Sequence, residues 1–333
     1  VDALILENDL QFVEHSVNEV LEKDTIEVKI NIFEGNKQLV ERINIKGNTV
    51  TDESVIRGEL LLDEGDPFSN IKVEKSISRI KSRNLFGEVK NVISDGSGKD
   101  LKIIDISVEE KPTGEISAGA GVGTEGGSFS FNVSENNWLG KGKKVTTFVN
   151  VNKTTFQGGF SVIDPNYDFS GNSMSYGLDT TTNDRPSSGF KNTIYTSSVG
   201  VGFEQYRNIY LAPALSLSYD DLSVESTASK SLQKQAGQFT DLSGSYSISL
   251  DKRNRTFKPT DGYLSSFTQT LPVYSDAPNI KNAYSYSLYN QFNPDLIGSF
   301  KFYVANITGL QNEDVRLSKR INIPSTRLRG FEY

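Results

Sequence analysis

Residues 242–250 read Leu-Ser-Gly-Ser-Tyr-Ser-Ile-Ser-Leu, a run in which serine occupies every second position. Successive side chains of a β-strand point to opposite faces of its sheet, so this run predicts a strand with one apolar and one small polar face. The same alternation recurs along residues 113–333, where we count about eleven strand-like segments. This region is therefore predicted to form a sheet of many long strands.

Two architectures are compatible with this alternation. A soluble β-sandwich also buries one face of each strand, but its strands average about 5–6 residues and its apolar face is mainly aliphatic. The segments here reach the ~9–11 residues that a tilted strand needs to cross a bilayer, and Tyr and Phe recur near their ends as in outer-membrane barrels. We therefore favour an antiparallel transmembrane β-barrel and keep the sandwich as the alternative.

The overall composition narrows the possible chemistry. The 333 residues carry a formal net charge of −7 and contain no Cys and a single His. These counts exclude a disulfide framework and Cys-bound metals and argue against a multi-His metal centre. An acidic chain also lacks the basic stripe of a nucleic-acid binder. Asp220-Asp221 is assigned to a loop without a neighbouring base, so we expect neither an enzyme nor a cofactor.

The composition changes sharply near Lys111-Pro112. Residues 1–112 contain 15 Lys and Arg against 23 Asp and Glu, whereas residues 113–333 contain 20 against 19 and hold all 14 Tyr. This shift predicts a domain at 39–112 and a sheet domain at 113–333. Residues 1–38 contain two strand-like runs that we interpret as the end of a preceding copy of the 39–112 domain, so the chain is expected to begin inside a repeat.

The domain at 39–112 is predicted to be α+β, with the element order β-α-α-β-β. Short alternating runs predict its strands, and apolar residues at helical spacing predict its helices. The elements are a strand at 41–46, a helix capped by Thr51 or Asp52 that ends before Glu64, a helix carrying Ile71, Val73, Ile77 and Ile80, and strands at 89–93 and 101–108.

Five short motifs, in this order along the chain, resemble those of a family of outer-membrane transporters in which periplasmic POTRA domains precede a transmembrane β-barrel. The family includes insertases that assemble other barrels into the outer membrane. The motifs are Ile45-Lys-Gly-Asn48 with Asn84-Leu-Phe-Gly87 in a membrane-proximal POTRA domain, Lys111-Pro-Thr-Gly114 before the first barrel strand, Asn136-Asn-Trp-Leu-Gly140 after the second, Pro259-Thr-Asp-Gly262 in mid-barrel, and Leu328-Arg-Gly-Phe331.

The resemblance implies a POTRA domain followed by an incomplete barrel. In the family, several strands follow the loop that carries the Arg-Gly-Phe motif, and they close the barrel. An unclosed sheet edge in lipid leaves unsatisfied backbone groups at high cost. We therefore expect these residues to be part of a longer polypeptide that also contains earlier POTRA domains and the closing strands.

The resemblance assigns Leu328, Arg329, Gly330 and Phe331 to this loop, here called the RGF motif. It implies that Arg329 lies inside the barrel lumen and pairs with acidic residues of a later strand. Gly330 would then allow close backbone approach and Phe331 would pack on the lumen wall. Without the resemblance, Arg329 is interpreted as a solvated loop cation.

The first barrel strand is the second candidate site, because Gly119 and Gly121 interrupt one of its faces. Glycine has no side chain to pack and weakens strand pairing. The glycines make room for a loop inside the lumen, or they let the barrel open at a lateral seam, where a freed strand edge can pair with an incoming strand. The two interpretations are compatible. The proposed seam residues are Ile116, Ala118, Gly119, Ala120, Gly121 and Val122.

We predict roles for three further residues in contacts with a partner protein or with the membrane. By resemblance, Glu59, with Arg57 beside it, occupies the position on the first POTRA helix where the family contacts a partner lipoprotein. The simpler interpretation of Glu59 is a solvated helix charge. Trp138 is expected to be an anchor at the membrane interface.

The resemblance finally implies a function, an insertase of the Gram-negative outer membrane whose POTRA part lies in the periplasm. Its implied partners are unfolded outer-membrane protein clients, accessory lipoproteins of an assembly complex, the lipid bilayer and lipopolysaccharide. The alternatives are a sibling transporter that exports a passenger protein through the barrel, a passive porin or receptor, and a soluble adhesin-like β-protein.

Overall fold

The computed structural model describes residues 13–22, 25–34, 38–123, 126–255, 258–293, 296–311 and 314–321. Contacts divide the chain into two compact units, Val1–Gly114 with Asn136–Lys143, and Glu115–Glu135 with Lys144–Tyr333. A short segment that runs from the end of the second strand of the large sheet to the start of the third thus belongs to the first unit. No helix within the described ranges is long and apolar enough to cross a membrane.

The first unit begins with a two-stranded antiparallel sheet of β1 (Val13–Glu22) and β2 (Thr25–Glu34). The elements that follow are β3 (Leu39–Lys46), α1 (Glu53–Arg57), α2 (Asn70–Ser82), β4 (Phe86–Asp95) and β5 (Leu101–Glu110). This is the predicted β-α-α-β-β order. Their sheet has the order β3-β5-β4, with β3 parallel and β4 antiparallel to β5. The helices provide the crossover that parallel strands require.

The hydrophobic core of this domain lies between α2 and the sheet. Val73, Ile77 and Ile80 of α2 are buried, and they belong to one cluster with Ile43 and Ile104 of the strands. Ser69 caps α2, because its hydroxyl accepts a hydrogen bond from the Lys72 backbone N–H at 3.4 Å. The predicted apolar face of this helix is confirmed.

The first helix is shorter than the sequence predicts, because it ends at Arg57 rather than near Glu64. Beyond the helix, Leu62 is only 4% exposed and joins the core. The Leu61 backbone N–H donates to the Ser76 hydroxyl at 2.9 Å. The chain leaves the helix early because tertiary packing against α2 satisfies both the apolar side chain and the backbone.

The second unit is built on an eleven-stranded sheet, which is the predicted number of strands. Its strand order follows the sequence from one edge to the other, and the strands pair antiparallel. The fold-class prediction is confirmed. The strands are β6 (Gly114–Gly123), β7 (Gly126–Trp138), β8 (Lys143–Asn152), β9 (Thr155–Asp164), β10 (Ser173–Arg185), β11 (Phe190–Tyr206), β12 (Ile209–Val224), β13 (Gly237–Asp251), β14 (Gly262–Ser275), β15 (Asn279–Asn293) and β16 (Leu296–Gly309).

The two faces of this sheet differ as the alternation predicts. On one face of β10 and β11, Ser173 lies opposite Gly202 and Ser175 opposite Gly200, so this face, here called the small face, is formed by short side chains. On the other face, large apolar side chains are exposed, as in strands that face lipid. They include Leu178, Tyr195, Leu215, Leu217 and Tyr219.

A short helix, α3 (Lys230–Gln233), lies between β12 and β13. A 3₁₀ turn at Leu317–Lys319 follows β16. Asp220-Asp221 lies inside β12, so the prediction of a loop at this pair is wrong. The alternation simply continues through it, because Ser216, Ser218 and Asp220 occupy successive positions of one face.

Candidate functional site

The predicted seam strand, β6, is an edge of the eleven-stranded sheet. Within the described part of the chain its neighbour is β7 on one side, and its other side is unpaired. All side chains from Gly114 to Val122 are exposed, and Val122 is 92% exposed. An edge strand of this kind presents a row of backbone N–H and C=O groups with which another strand can pair.

Gly119 and Gly121 face serines of β7 on the small face. A Cβ atom added to Gly119 would lie 2.9 Å from Ser130 Oγ, and one added to Gly121 would lie 3.2 Å from Ser128 Oγ. Ile116, at even spacing from Val122, lies on the opposite face and is 72% exposed. The structure thus brings the glycines together on one face, while both interpretations of their role stay predictions.

A concavity of about 380 Å³ adjoins the same glycines. Its far side is lined by polar residues of β8 and β9, including Asn150, Asn152 and Gln157. Small and polar side chains, together with Phe129 and Val151, therefore border an open space beside the first strand. This arrangement can hold a polar chain segment or water.

Glu59 lies beyond the end of α1, and its carboxylate turns inward. Its oxygens lie 3.2 Å from Arg79 Nε and 3.4 Å from Arg83 Nη1, and its side chain is 9% exposed. The expectation of a solvated helix charge is therefore wrong, because the chain turns at Gly58 and places the carboxylate between two arginines at the end of α2.

Arg57, the second residue of the predicted lipoprotein contact, is more accessible. Its side chain is 35% exposed and pairs with Glu53 at 2.7 Å and Glu64 at 3.2 Å. These ion pairs and their hydrogen bonds raise the pKa of Arg57 above its usual value, with the bond to Glu53 contributing most. The lipoprotein contact itself stays a prediction for both residues.

The segment Asn136–Lys143 is held firmly within the first unit. The Asn137 side-chain amide donates to Thr51 Oγ1 at 2.8 Å, and the Asp52 backbone N–H donates to the Gly140 carbonyl at 2.8 Å. Gly140 has a φ of +75°, and an added Cβ would lie 2.1 Å from the Val50 carbonyl oxygen, so only glycine fits.

Two apolar side chains of the segment Asn136–Lys143 are exposed. Trp138 is 48% exposed, and Leu139, at a φ of +53°, is 74% exposed. A left-handed conformation is costly for a residue with a side chain, so the turn is maintained by its surroundings. The exposure of Trp138 is compatible with an interfacial anchor, which stays a prediction.

Glu110, at the end of β5, ties the sheet to the segment before α1. Its carboxylate accepts hydrogen bonds from the Thr49 hydroxyl at 2.6 Å, the Val50 N–H at 3.0 Å and the Thr51 N–H at 2.6 Å. Burial acts to raise the pKa of Glu110, but the bonds from Thr49, Thr51 and Val50 together outweigh it and lower the pKa to about 2. The carboxylate is therefore a charged structural brace.

A buried charge cluster lies on the small face, and the sequence patterns do not predict it. Arg316, 4% exposed, contacts Asp220 of β12 and Asp241 of β13, which are fully and almost fully buried. One signal was available, because Asp220 continues the serine alternation of its strand. Nothing local in the sequence connects either aspartate to Arg316.

The RGF motif, Leu328, Arg329, Gly330 and Phe331, lies outside the described residues. Across the ranges that the structure does describe, no group of three or more His, Asp or Glu side chains could hold a metal ion.

A β-α-α-β-β domain followed by a sequential antiparallel sheet with one apolar face defines a class of protein, the outer-membrane proteins in which a POTRA domain precedes a barrel. Comparison with protein families agrees. The Omp85 superfamily domain matches residues 137–333, and the POTRA family, described as a surface antigen variable number repeat, matches residues 38–111. The chain belongs to the Omp85 superfamily, and it is an outer-membrane protein with a periplasmic POTRA domain.

Related sequences carry names from the same family. The outer membrane protein assembly factor BamA of Neorickettsia risticii is 26% identical over 92% of this chain and 42% of its own length. The BamA of Neisseria meningitidis is 31% identical over 46% of this chain and 20% of its own length. The chain therefore spans less than half the length of these relatives.

Solved structures share the fold. BamA from Haemophilus ducreyi lacking POTRA domains 1–3 superposes with a TM-score of 0.70, at 21% identity, over 92% of this chain and 62% of that one. CdiB from Acinetobacter baumannii gives a TM-score of 0.53 at 8% identity, over 93% and 59%. At these identities, the similarity concerns the fold alone.

Proposed function

We propose that this chain belongs to an insertase that assembles β-barrel proteins into the outer membrane. The observation that carries the proposal is the weakly packed first strand, β6, where Gly119 and Gly121 face only the short side chains of Ser130 and Ser128, in a chain of the Omp85 superfamily. The assembly-factor names of its sequence relatives support the same role.

In the proposed mechanism, the barrel opens at the seam beside β6, and a client strand adds to the freed edge of β6 by backbone hydrogen bonding. In lipid, pairing of backbone groups is strongly favoured because water is absent. The client's own folding supplies the free energy, so the role is non-enzymatic and requires no nucleotide. Gly119 and Gly121 keep β6 weakly packed, so that the seam opens at low cost.

The proposed partners follow from this mechanism. Unfolded client proteins meet the POTRA domain and then the β6 edge. Accessory lipoproteins bind the POTRA domain near Arg57, and the large apolar face of the sheet contacts the bilayer and lipopolysaccharide. Export of a passenger is the competing role, but the CdiB structures resemble this chain in fold alone and do not favour it.

The proposal is tested by stiffening β6 in the full-length protein with Gly119→Val and Gly121→Val. Valine restricts the backbone and favours paired strands. The two substitutions together should stabilise the paired state of β6 by about 1–2 kcal/mol. Because the seam must open against this added stability, client insertion should become about 5- to 30-fold slower. The measurement is the rate at which purified clients insert into liposomes that contain the variant.

Two controls separate stiffening from other effects. Gly127→Val, on the neighbouring strand, has open space around its added Cβ and should leave the rate unchanged. Ser130→Ala removes the hydroxyl that an added Cβ at Gly119 would meet, so combining it with Gly119→Val relieves the steric contact while retaining the stiffness. Client insertion at the unmodified rate by the double valine variant would reject the proposal.

A further inference from the structure

The segment 314–321, which follows β16, lies against the small face of the sheet at β12 and β13. Arg316 Nη2 donates hydrogen bonds to both carboxylate oxygens of Asp241, at 2.6 and 2.5 Å. Both residues are almost completely buried, at 4% and 2% exposure. A contact between side chains 75 positions apart thus joins this segment to β13.

A second acid and a second cation complete the cluster. Asp220 is fully buried, with its Oδ2 atom 3.7 Å from Arg316 Nη1, and it also accepts a hydrogen bond from the Ser318 hydroxyl. Lys319 Nζ lies 3.0 Å from Asp241 Oδ2. Two basic residues of the segment therefore face two acidic residues of the sheet.

The two aspartates lie on the same face because of the strand register. Ser218 lies directly opposite Asp241, and Asp220 follows Ser218 by two positions on the same strand. Lys319 Nζ also reaches Ser218 Oγ at 3.2 Å. The charges thus occupy the face of short side chains, where space is left for a chain segment to pack.

Contacts other than ion pairs support the same cluster. The guanidinium carbon of Arg316 lies 4.4 Å from the centre of the Phe239 ring, and the Leu317 backbone N–H donates to Gln235 Oε1 at 2.9 Å. The Ser275 hydroxyl of β14 donates to Asp241 at 2.5 Å and fixes that carboxylate from the other side. Three strands and the connection before β13 therefore converge on these few residues.

We propose that Arg316 and Lys319 form an anchor that seats the chain leading to the RGF motif on the small face of β12 and β13. Arg316 is a positioning residue, because its pairing with Asp241 sets where this segment lies. A charge that is buried without its partner is strongly disfavoured, so removal of either member should release the segment rather than leave it in place. The anchor lies outside the RGF motif and concerns the segment's position, whichever cargo the protein handles.

The test uses cysteine pairs in the full-length protein, and these 333 residues contain no native Cys. Cysteines at Gln235 and Leu317, which are in contact, should cross-link efficiently with a short bifunctional reagent. Adding Arg316→Ala should lower the cross-linking yield about tenfold or more. The matched control is Arg320→Ala, four residues further along the segment, where the side chain is exposed and bonds only locally to the Val315 carbonyl in the described structure.

Heat-modifiable gel mobility identifies the folded molecules in which the yield is read. Charge reversal provides a second test, in which Arg316→Asp and Asp241→Arg each lose the cross-link and the double variant recovers at least half of it. If the single variants fail to fold, recovery of both the folded band and the cross-link by the double variant supports the anchor. An unchanged yield in folded Arg316→Ala, or no recovery in the double variant, overturns it. The cross-linking yield is measured in the absence of client protein. Its result therefore does not depend on whether the insertase proposal is correct.

Discussion

At the scale of single residues, the surroundings of the acidic side chains depend on distant parts of the chain. Glu59 meets arginines 20 and 24 positions away, and Asp220 meets a segment almost 100 positions away. Periodicity places such residues on a strand or beside a helix, but it contains no information on these partners. This is why the predictions of a solvated Glu59 and a loop at Asp220 were wrong.

The predicted lipoprotein contact on the POTRA domain also depends on single residues. Because the Glu59 carboxylate faces inward, we expect the more exposed Arg57 to supply the contact. Arg57→Ala should weaken capture of the accessory lipoprotein about tenfold, which corresponds to ~1.4 kcal/mol. Capture is measured by pull-down with the full-length protein.

Two comparisons complete this test. Lys90→Ala removes a cation from an exposed site on β4 and should leave capture unchanged. Glu59→Gln should destabilise the POTRA domain by ~1–3 kcal/mol and retain capture in the folded fraction. Full capture by Arg57→Ala, or its loss in well-folded Glu59→Gln, would contradict this assignment.

At the scale of elements, alternation and helical spacing predicted the types of the POTRA elements and the number of sheet strands. Both patterns show which face of an element is apolar and which is polar. They predict well here because the two faces of each strand of the large sheet differ in this way. The end of α1 was not predictable, because it depends on how Leu62 and the Leu61 backbone meet α2. Tertiary packing therefore outweighed the helical spacing of Leu60.

Glu110 joins two elements, and its ionisation should make their junction sensitive to acid. Its pKa is about 2 in the folded protein, below the ordinary value of 4.5, so it stabilises the fold above about pH 4.5. This contribution is lost as the pH falls from about 4.5 towards 2. Glu110→Gln should cost ~1–2 kcal/mol at pH 7 and should remove this part of the pH dependence.

The measurement is hydrogen exchange of the Val50 and Thr51 amides, corrected for intrinsic rates, in the unmodified protein and in Glu110→Gln. Glu109→Gln is a suitable control, since the neighbouring carboxylate is on the same strand. Equal amide protection in Glu110→Gln and the unmodified protein at pH 7 would show that the carboxylate is not a brace.

At the scale of the whole molecule, the sequence predicted a POTRA domain followed by a sheet of about eleven strands, and both are confirmed. Strand pairing in sequence order follows from short connections between antiparallel neighbours, and within the described residues it leaves β6 at one edge of the sheet. The charge cluster at Arg316 could not be predicted, because it requires the loop after β16 to return to strands in mid-sheet. The RGF motif, predicted from resemblance, lies outside the described residues and stays a prediction.

The proposed function requires that β6 receives the client strand at the edge that is freed when the seam opens. The most direct test places a single cysteine at Ser117 of β6 in the full-length protein and a cysteine at successive positions of a client's terminal strand during assembly. A matched control places the cysteine at Ser175, on β10 inside the sheet. We predict disulfide cross-links from position 117 in a defined register and only background from position 175. Normal client insertion without cross-links from position 117, or equal yields from both positions, would show that the client strand does not pair with β6.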